Sequence, residues 1–285
     1  MIVSSPLRYP GGKSAMAGLL AEIRRANGLG GRAIGEPFAG GAGASLTLLF
    51  SEQTPEVFIN DADPAIADFW WAITTKPAAF SALLRSTRVN MAEWRRQRAI
   101  YRRKGKGSRL KRGFSAFYLN RCNRSGIIMN GGPIGGVKQD GEWKLNARFN
   151  KEELRRRCNK LAEYEGRVHA SGLDGLAFIE QHDAPSMFFF VDPPYYDKGK
   201  TLYLNALDDD YHEALAARLK AMKKAAWVLT YDDCPQIRKF YDGWAKIRPF
   251  SLGYAAAERR SGREILIVPE GMVLPAKQRS EAIRW

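Results

Sequence analysis

The chain has 285 residues, 45% of them apolar, and its 45 Lys and Arg against 30 Asp and Glu give a formal net charge of +15. That length and apolar share suffice for one large domain or two. No stretch approaches the ~20 apolar residues of a membrane-spanning helix, no apolar secretory segment opens the chain, and Cys122, Cys158 and Cys234 lack both pairing spacing and neighbouring histidines; membrane insertion, disulfides and a metal are therefore not expected, and a reducing cytoplasm fits.

The segment Arg8-Tyr9-Pro10-Gly11-Gly12-Lys13-Ser14 joins an aromatic ring, two glycines and a lysine. It is not a phosphate-binding P-loop, because Leu7 stands where that pattern needs glycine. A helix is predicted over Ala15 to Asn27, closed by Gly28. A short apolar strand then leads into Ile34-Gly35-Glu36-Pro37-Phe38-Ala39-Gly40-Gly41-Ala42-Gly43, followed by the helical run Ala44 to Phe50. Glycines at a strand-to-helix turn let a nucleotide-like ligand approach the backbone. The third glycine of the dinucleotide fingerprint is replaced by Leu46, so a nucleoside without a pyrophosphate fits better. The next strand ends at Asn60-Asp61, and Asp61 lies 20 residues after Gly41, a spacing at which a carboxylate reaches ribose hydroxyls. A helix is predicted from Asp63 to Ile73.

From about Lys76 to Glu165 the alternation of strand and helix breaks. Between Arg85 and Arg124 stand 14 basic residues and one acid, Glu93. A solvated helix does not require so few acids, and the stripe reads as the footprint of a polyphosphate. Arg95, Arg96 and Arg98 lie in its helical part, and Asn120, Arg121, Asn123 and Arg124 carry the donors and acceptors that read base edges. Asp140-Gly141, between Val137-Lys138-Gln139 and Glu142-Trp143-Lys144-Leu145, predicts a β-hairpin able to enter a groove, with Lys138 on it.

From Arg167 the alternation resumes, with strands near Val168, Phe189 and Trp227 to Thr230, helices near Tyr211 to Lys223 and Pro235 to Tyr241, and a late strand from Glu264 to Val268. This implies an α/β fold, a mostly parallel sheet with helices on both faces. Asp174 follows another short strand signal and is an ordinary helix cap on the residues alone. The run Met187 to Val191 reads as a buried strand halted by Asp192-Pro193-Pro194-Tyr195. This turn offers a planar amine two acceptors, the Asp192 carboxylate and the Pro193 carbonyl, and an aromatic face to stack on. Thr230-Tyr231-Asp232-Asp233 ends a strand on the same edge and either lines that pocket or caps a helix. Arg259-Arg260-Ser261-Gly262-Arg263 adds a second basic turn, suited to phosphate. His169, His182 and His212 form no cluster, and covalent nucleophilic catalysis is not needed.

In order and spacing, Tyr9-Pro-Gly-Gly-Lys13, Glu36-Pro-Phe-Ala-Gly-Gly41, Asn60-Asp61, a long insert and Asp192-Pro-Pro-Tyr195 resemble the Dam-type DNA adenine N6-methyltransferases over nearly the whole chain. The resemblance implies S-adenosylmethionine as cofactor, contacted by Tyr9 and Lys13, with Glu36, Phe38, Gly40 and Gly41 along its methionine part, Asp61 on its ribose, and Asp174 and Asp192 completing the site. It implies that Asp192, Pro193, Pro194 and Tyr195 grip a flipped adenine for direct methyl transfer to N6. It further implies a Rossmann-like catalytic domain over residues 1–75 and 166–285, and a mostly helical target-recognition domain with a hairpin inserted over 76–165. The partner would be double-stranded DNA, in a bacterial or phage setting. GATC is the family's default site, but the residues after Gly126 differ from the best-known relatives, which leaves the bases read open. Chromosome maintenance, a phage-borne role and a restriction system with an endonuclease partner all fit. On the residues alone, cytosine N4, RNA adenine and protein glutamine remain alternative acceptors, as does a DNA-binding protein with a decayed catalytic fold.

Overall fold

The computed structural model describes residues 5–8, 13–103, 105–196, 207–252, 264–276 and 283–284. In chain order, a 3-10 turn at Lys13–Met16 precedes α1 (Ala17–Ala26), β1 (Ala33–Glu36), α2 (Gly43–Phe50), β2 (Val57–Asn60), α3 (Pro64–Thr75), α4 (Pro77–Ser86), α5 (Met91–Arg102) and α6 (Arg109–Cys122). Then follow α7 (Lys151–Ala162), β3 (Val168–Ser171), α8 (Gly175–Gln181), β4 (Met187–Val191), α9 (Asp209–Ala221), β5 (Ala226–Asp232), α10 (Pro235–Tyr241), β6 (Ala245–Leu252), β7 (Glu264–Pro269) and β8 (Ile283–Arg284). The chain forms two compact units, one of Met1–Gly12 with Asp61–Gly172 and one of Lys13–Asn60 with Leu173–Trp285.

The second unit is built on a Rossmann-like sheet. Its strands run β2-β1-β4-β5-β7-β6-β8. β1 pairs in parallel with β2 and β4, and β4 with β5. The expectation of a mostly parallel sheet holds for this half; β7 and its neighbours β5 and β6 are antiparallel, as are β6 and β8. All five residues of β4 are buried, which is why its sequence is a continuous apolar run rather than an alternating one. Phe189 and Val191 pack with Phe178, Leu215, Leu219, Trp227, Leu229, Ile265 and Ile267 in one core.

The first unit is mostly helical and has an aromatic core. Phe69 of α3 stacks on Phe117 of α6, and Phe80 of α4 meets both rings edge-on. α3 and α6 cross so closely that a Cβ on Gly113 would lie 2.3 Å from the Asp68 carbonyl oxygen. Asp68 also receives the Nε of Arg109 at 2.8 Å and of Arg112 at 2.6 Å, so two of the basic residues of the sequence stripe serve this helix crossing.

The β-hairpin expected around Asp140-Gly141 is not formed. Residues 134–148 are a series of turns, and the nearest pairing is an isolated bridge between Asn123 and Pro133. The reason is Gln139. Its backbone is left-handed, with φ of 56°, and its side chain donates to the carbonyls of Ile134 and Gly136 and accepts from the Leu145 N–H. A side chain thus makes the bonds a strand ladder would have made.

Candidate active site

Asp192 leaves β4 at the carboxyl edge of the parallel strands, where open α/β sheets bind their ligands. The neighbouring strand β5 supplies Thr230, whose hydroxyl donates to Asp192 Oδ1 at 2.6 Å. Two residues on, Asp232 accepts the Tyr196 N–H at 3.0 Å, which fixes the far end of the Pro-Pro turn. The 3-10 turn at Lys13–Met16 brings the Lys13 ammonium to 3.5 Å from Asp192 Oδ1 and 3.2 Å from Glu264 Oε2. Lys13 also donates to the Tyr195 hydroxyl and lies 4.7 Å from that ring's centre. The Tyr195 hydroxyl in turn donates to Glu264 Oε2 at 2.8 Å. Four elements of the sequence therefore converge on one cluster: the lysine of the first motif, the acid and ring of the last, and the first residue of β7.

The electrostatics follow from burial. Desolvation raises the Asp192 carboxyl above its ordinary range, Lys13 and Thr230 hold it partly down, and Glu264 opposes them. Glu36, at the end of β1, is buried and accepts both the N–H of Ser45, at 3.0 Å, and its hydroxyl. Desolvation outweighs those bonds, and with a smaller push from Asp192 the Glu36 carboxyl rises to about 7.

The glycine turn that follows β1 is bent by left-handed residues, Gly40 with φ of 47° and Ala42 with φ of 46°. Ala42 caps α2 without a side-chain hydrogen bond. Asn60 at the end of β2 locks this turn to the next one. It accepts the Ala39 N–H through its own carbonyl at 2.8 Å, and its side-chain amide donates to the Pro37 and Leu173 carbonyls, both at 2.9 Å. Phe38 lies against Gly175, where an added Cβ would come within 2.4 Å of its ring. Asp174 caps α8 through Oδ1 and accepts the Tyr211 hydroxyl at 2.8 Å through Oδ2, so the helix-cap role is realised.

Lys13, Glu36, Phe38, Gly40, Gly41, Asp174, Asp192, Pro193, Pro194 and Tyr195 all fall in the second unit. Asp61 follows Asn60 directly and is the first residue of the other segment; its Oδ1 accepts the Asp63 N–H at 2.9 Å. Tyr9, the Gly11-Gly12 pair and the basic turn from Arg259 to Arg263 lie outside the described residues. Glu264 is the member of this cluster that the sequence did not announce.

Three of the residues expected to face DNA are turned inward. Asn120 holds the backbone of Arg8, accepting its N–H at 2.7 Å and donating to its carbonyl at 2.6 Å. Asn123 accepts from the Trp94 indole at 2.8 Å and donates to Ile127 and Ile128 carbonyls. Both amides are buried and engaged, so, against the expectation from their residue types, they do not read base edges. Arg121 is buried beside them. Arg95, Arg96, Arg124 and Lys138 are exposed, with Arg96 paired to Glu93 and Arg98 set 5.0 Å from the Trp94 ring. Trp143, 61% exposed, projects from the turn-rich stretch that replaces the hairpin.

The family model described as D12 class N6 adenine-specific DNA methyltransferase matches residues 9–254 of the chain. No curated protein matches. Among solved structures, a Streptococcus pyogenes protein described as a conserved hypothetical protein aligns over 85% of this chain and 89% of its own, with 12% identity and a TM-score of 0.35.

Proposed function

The chain belongs to the D12 class N6 adenine-specific DNA methyltransferases, and on that premise we propose that the cluster at the end of β4 methylates the N6 of an adenine turned out of duplex DNA, using S-adenosylmethionine. One observation carries the reading: Asp192 and Tyr195, three residues apart on a rigid turn, are both gripped by Lys13, while the Tyr195 ring keeps part of its surface exposed.

The donor set suits the cofactor. When bound, S-adenosylmethionine supplies a methyl group on a positively charged sulfur. The carboxylates of Asp192 and Glu36 and the Phe38 ring provide the environment a sulfonium needs. Lys13 and the start of α2, which has no side-chain cap, suit a carboxylate.

Each residue of the turn then has a task. Extruding an adenine costs a few kcal/mol, and stacking on Tyr195 returns ~1–3 kcal/mol. Asp192 and the Pro193 carbonyl accept the two N6 hydrogens, which draws the nitrogen lone pair out of ring conjugation and orients it. Pro194 keeps the turn stiff. Asp192 acts by orientation and charge, and alignment supplies much of the rate. The exposed Arg95, Arg96, Arg124 and Lys138, with Arg98, supply cationic contacts to the DNA backbone from the segment 76–165, which we assign to target recognition.

The reading is tested by incubating the chain with labelled S-adenosylmethionine and either duplex DNA or RNA, then identifying the modified nucleoside by mass spectrometry. N6-methyldeoxyadenosine is expected. N4-methyldeoxycytidine, or label confined to RNA, would reassign the acceptor.

A further inference from the structure

Thr230 is buried in β5, where the parallel register sets Leu229 beside Val191 and so brings Thr230 beside Asp192. Side chains alternate along a strand, so Leu229 and Tyr231 enter the core on one face while Thr230 and Asp232 share the other. Both of the latter hold the Pro-Pro turn. Thr230 donates to Asp192 at its start, and Asp232 accepts the Tyr196 N–H at its end. Packing alone does not call for a hydroxyl at position 230. Valine has nearly the same shape, suits a buried strand, and brings no polar group that must be satisfied.

The single hydrogen of that hydroxyl has a clear destination. Asp192 Oδ1 lies at 2.6 Å, the length of a charge-assisted O–H···O bond, whereas the Val191 carbonyl lies at 3.5 Å. Lys13 also approaches Asp192 at Oδ1, but at 3.5 Å, and it serves Glu264 and the Tyr195 hydroxyl as well. An ammonium is a compact charge with rotatable hydrogens, so it fixes the plane of a carboxylate weakly. An aspartate carboxylate turns readily about its last torsion unless a directional bond holds it. Thr230 supplies that bond. Among the described residues no hydrogen bond reaches Oδ2, and 23% of the Asp192 side chain remains exposed.

We propose that Thr230 is a positioning residue for methyl transfer, which engages Oδ1 and so holds the Asp192 carboxylate with Oδ2 left to accept an N6 hydrogen of the adenine. The role rests on the methyltransferase reading of the site. Without the hydroxyl, Asp192 keeps its charge and its place on the turn but loses its fixed plane, and the alignment on which the rate depends is lost with it.

The test compares Thr230→Val, which keeps the shape and loses the hydroxyl, with Thr230→Ser, which keeps the hydroxyl and loses a methyl group. Methyl transfer to duplex DNA is measured in the full chain, together with cofactor affinity and melting temperature. Thr230→Val should lower kcat by about tenfold or more, with KM for DNA and cofactor affinity within about twofold. Thr230→Ser should stay within about threefold of the unaltered kcat. A packing role would reverse that order, because valine fills the site and serine opens a cavity. The Thr230 bond also holds the Asp192 carboxyl down, so in the protein without cofactor or DNA its midpoint, read by carbon-13 NMR, should move to higher pH in Thr230→Val and stay in Thr230→Ser. Lys13, Glu264 and Glu36, the ionisable groups that bear on Asp192, are unaltered in both variants. A Thr230→Val enzyme with kcat equal to or above that of Thr230→Ser, or with an unmoved Asp192 midpoint, overturns the proposal and leaves the methyltransferase reading standing. If Thr230→Val does not fold, Thr230→Ala takes its place, and equal kcat in Thr230→Ala and Thr230→Ser overturns the proposal. Absence of methyl transfer by the unaltered chain overturns the reading and the proposal together.

Discussion

Tyr195 Oη donates to Glu264 Oε2 at 2.8 Å, so the aromatic ring of the Pro-Pro turn is tethered to the first residue of β7. The same carboxylate receives Lys13 at 3.2 Å, which makes Glu264 a positioning residue for two groups of the site. Glu264→Ala should lower kcat by about tenfold or more while KM for DNA changes little. Tyr195→Phe, which keeps the stacking face and loses the tether, should fall only a few-fold. Steady-state methyl transfer measures both; a Glu264→Ala enzyme with normal kcat would remove the tether from the account.

The acid limb of activity should report Asp192. Only its carboxylate form accepts an N6 hydrogen, and burial holds its titration above the ordinary aspartate range. The kcat/KM profile should therefore fall on acidification earlier than a solvent-exposed aspartate would dictate. In Lys13→Gln, with the restraining cation gone, the limb should move to still higher pH. An unmoved limb would mean that another group controls it.

Glu36 should make stability depend on pH in an identifiable window. Its folded carboxyl titrates near 7 against an ordinary 4.5, so between those values the folded state holds a proton that the unfolded chain has released. Stability must then fall as pH rises from 4.5 to 7. Glu36→Gln should abolish that decline and gain up to about 3 kcal/mol at pH 8 relative to the unaltered chain. Denaturant titrations of both proteins at pH 5 and pH 8 check it.

Gly113→Ala should destabilise the first unit by about 1–3 kcal/mol, because the new methyl meets the Asp68 carbonyl oxygen and the α3–α6 crossing must open. Thermal unfolding of the variant reads this directly. An unchanged melting temperature would show that the crossing yields without cost.

Much of the second unit and its site was legible in the sequence. An apolar run cut by two prolines reads one way, and Gly-rich turns after short strands announce where backbone must bend. The pairings that complete the site were not legible. Glu264 meets Tyr195 only because β7 lies antiparallel beside β5, and no spacing encodes that. β6 went unread because Lys246, Arg248 and Pro249 interrupt its apolar pattern. Asn120 and Asn123 misled because an amide suited to a base edge is equally suited to clamping a loop. Gln139 misled because nothing local signals a left-handed glutamine whose side chain takes the place of a ladder.

The proposed role of Asp192, orienting an adenine amine for methyl transfer, is tested most directly by the rate of labelled methyl incorporation into duplex DNA by the unaltered chain and by Asp192→Ala, with cofactor binding measured in both. N6-methyladenine is expected from the former, none above background from the latter, and cofactor binding that partly survives. Undiminished methylation by Asp192→Ala would contradict it.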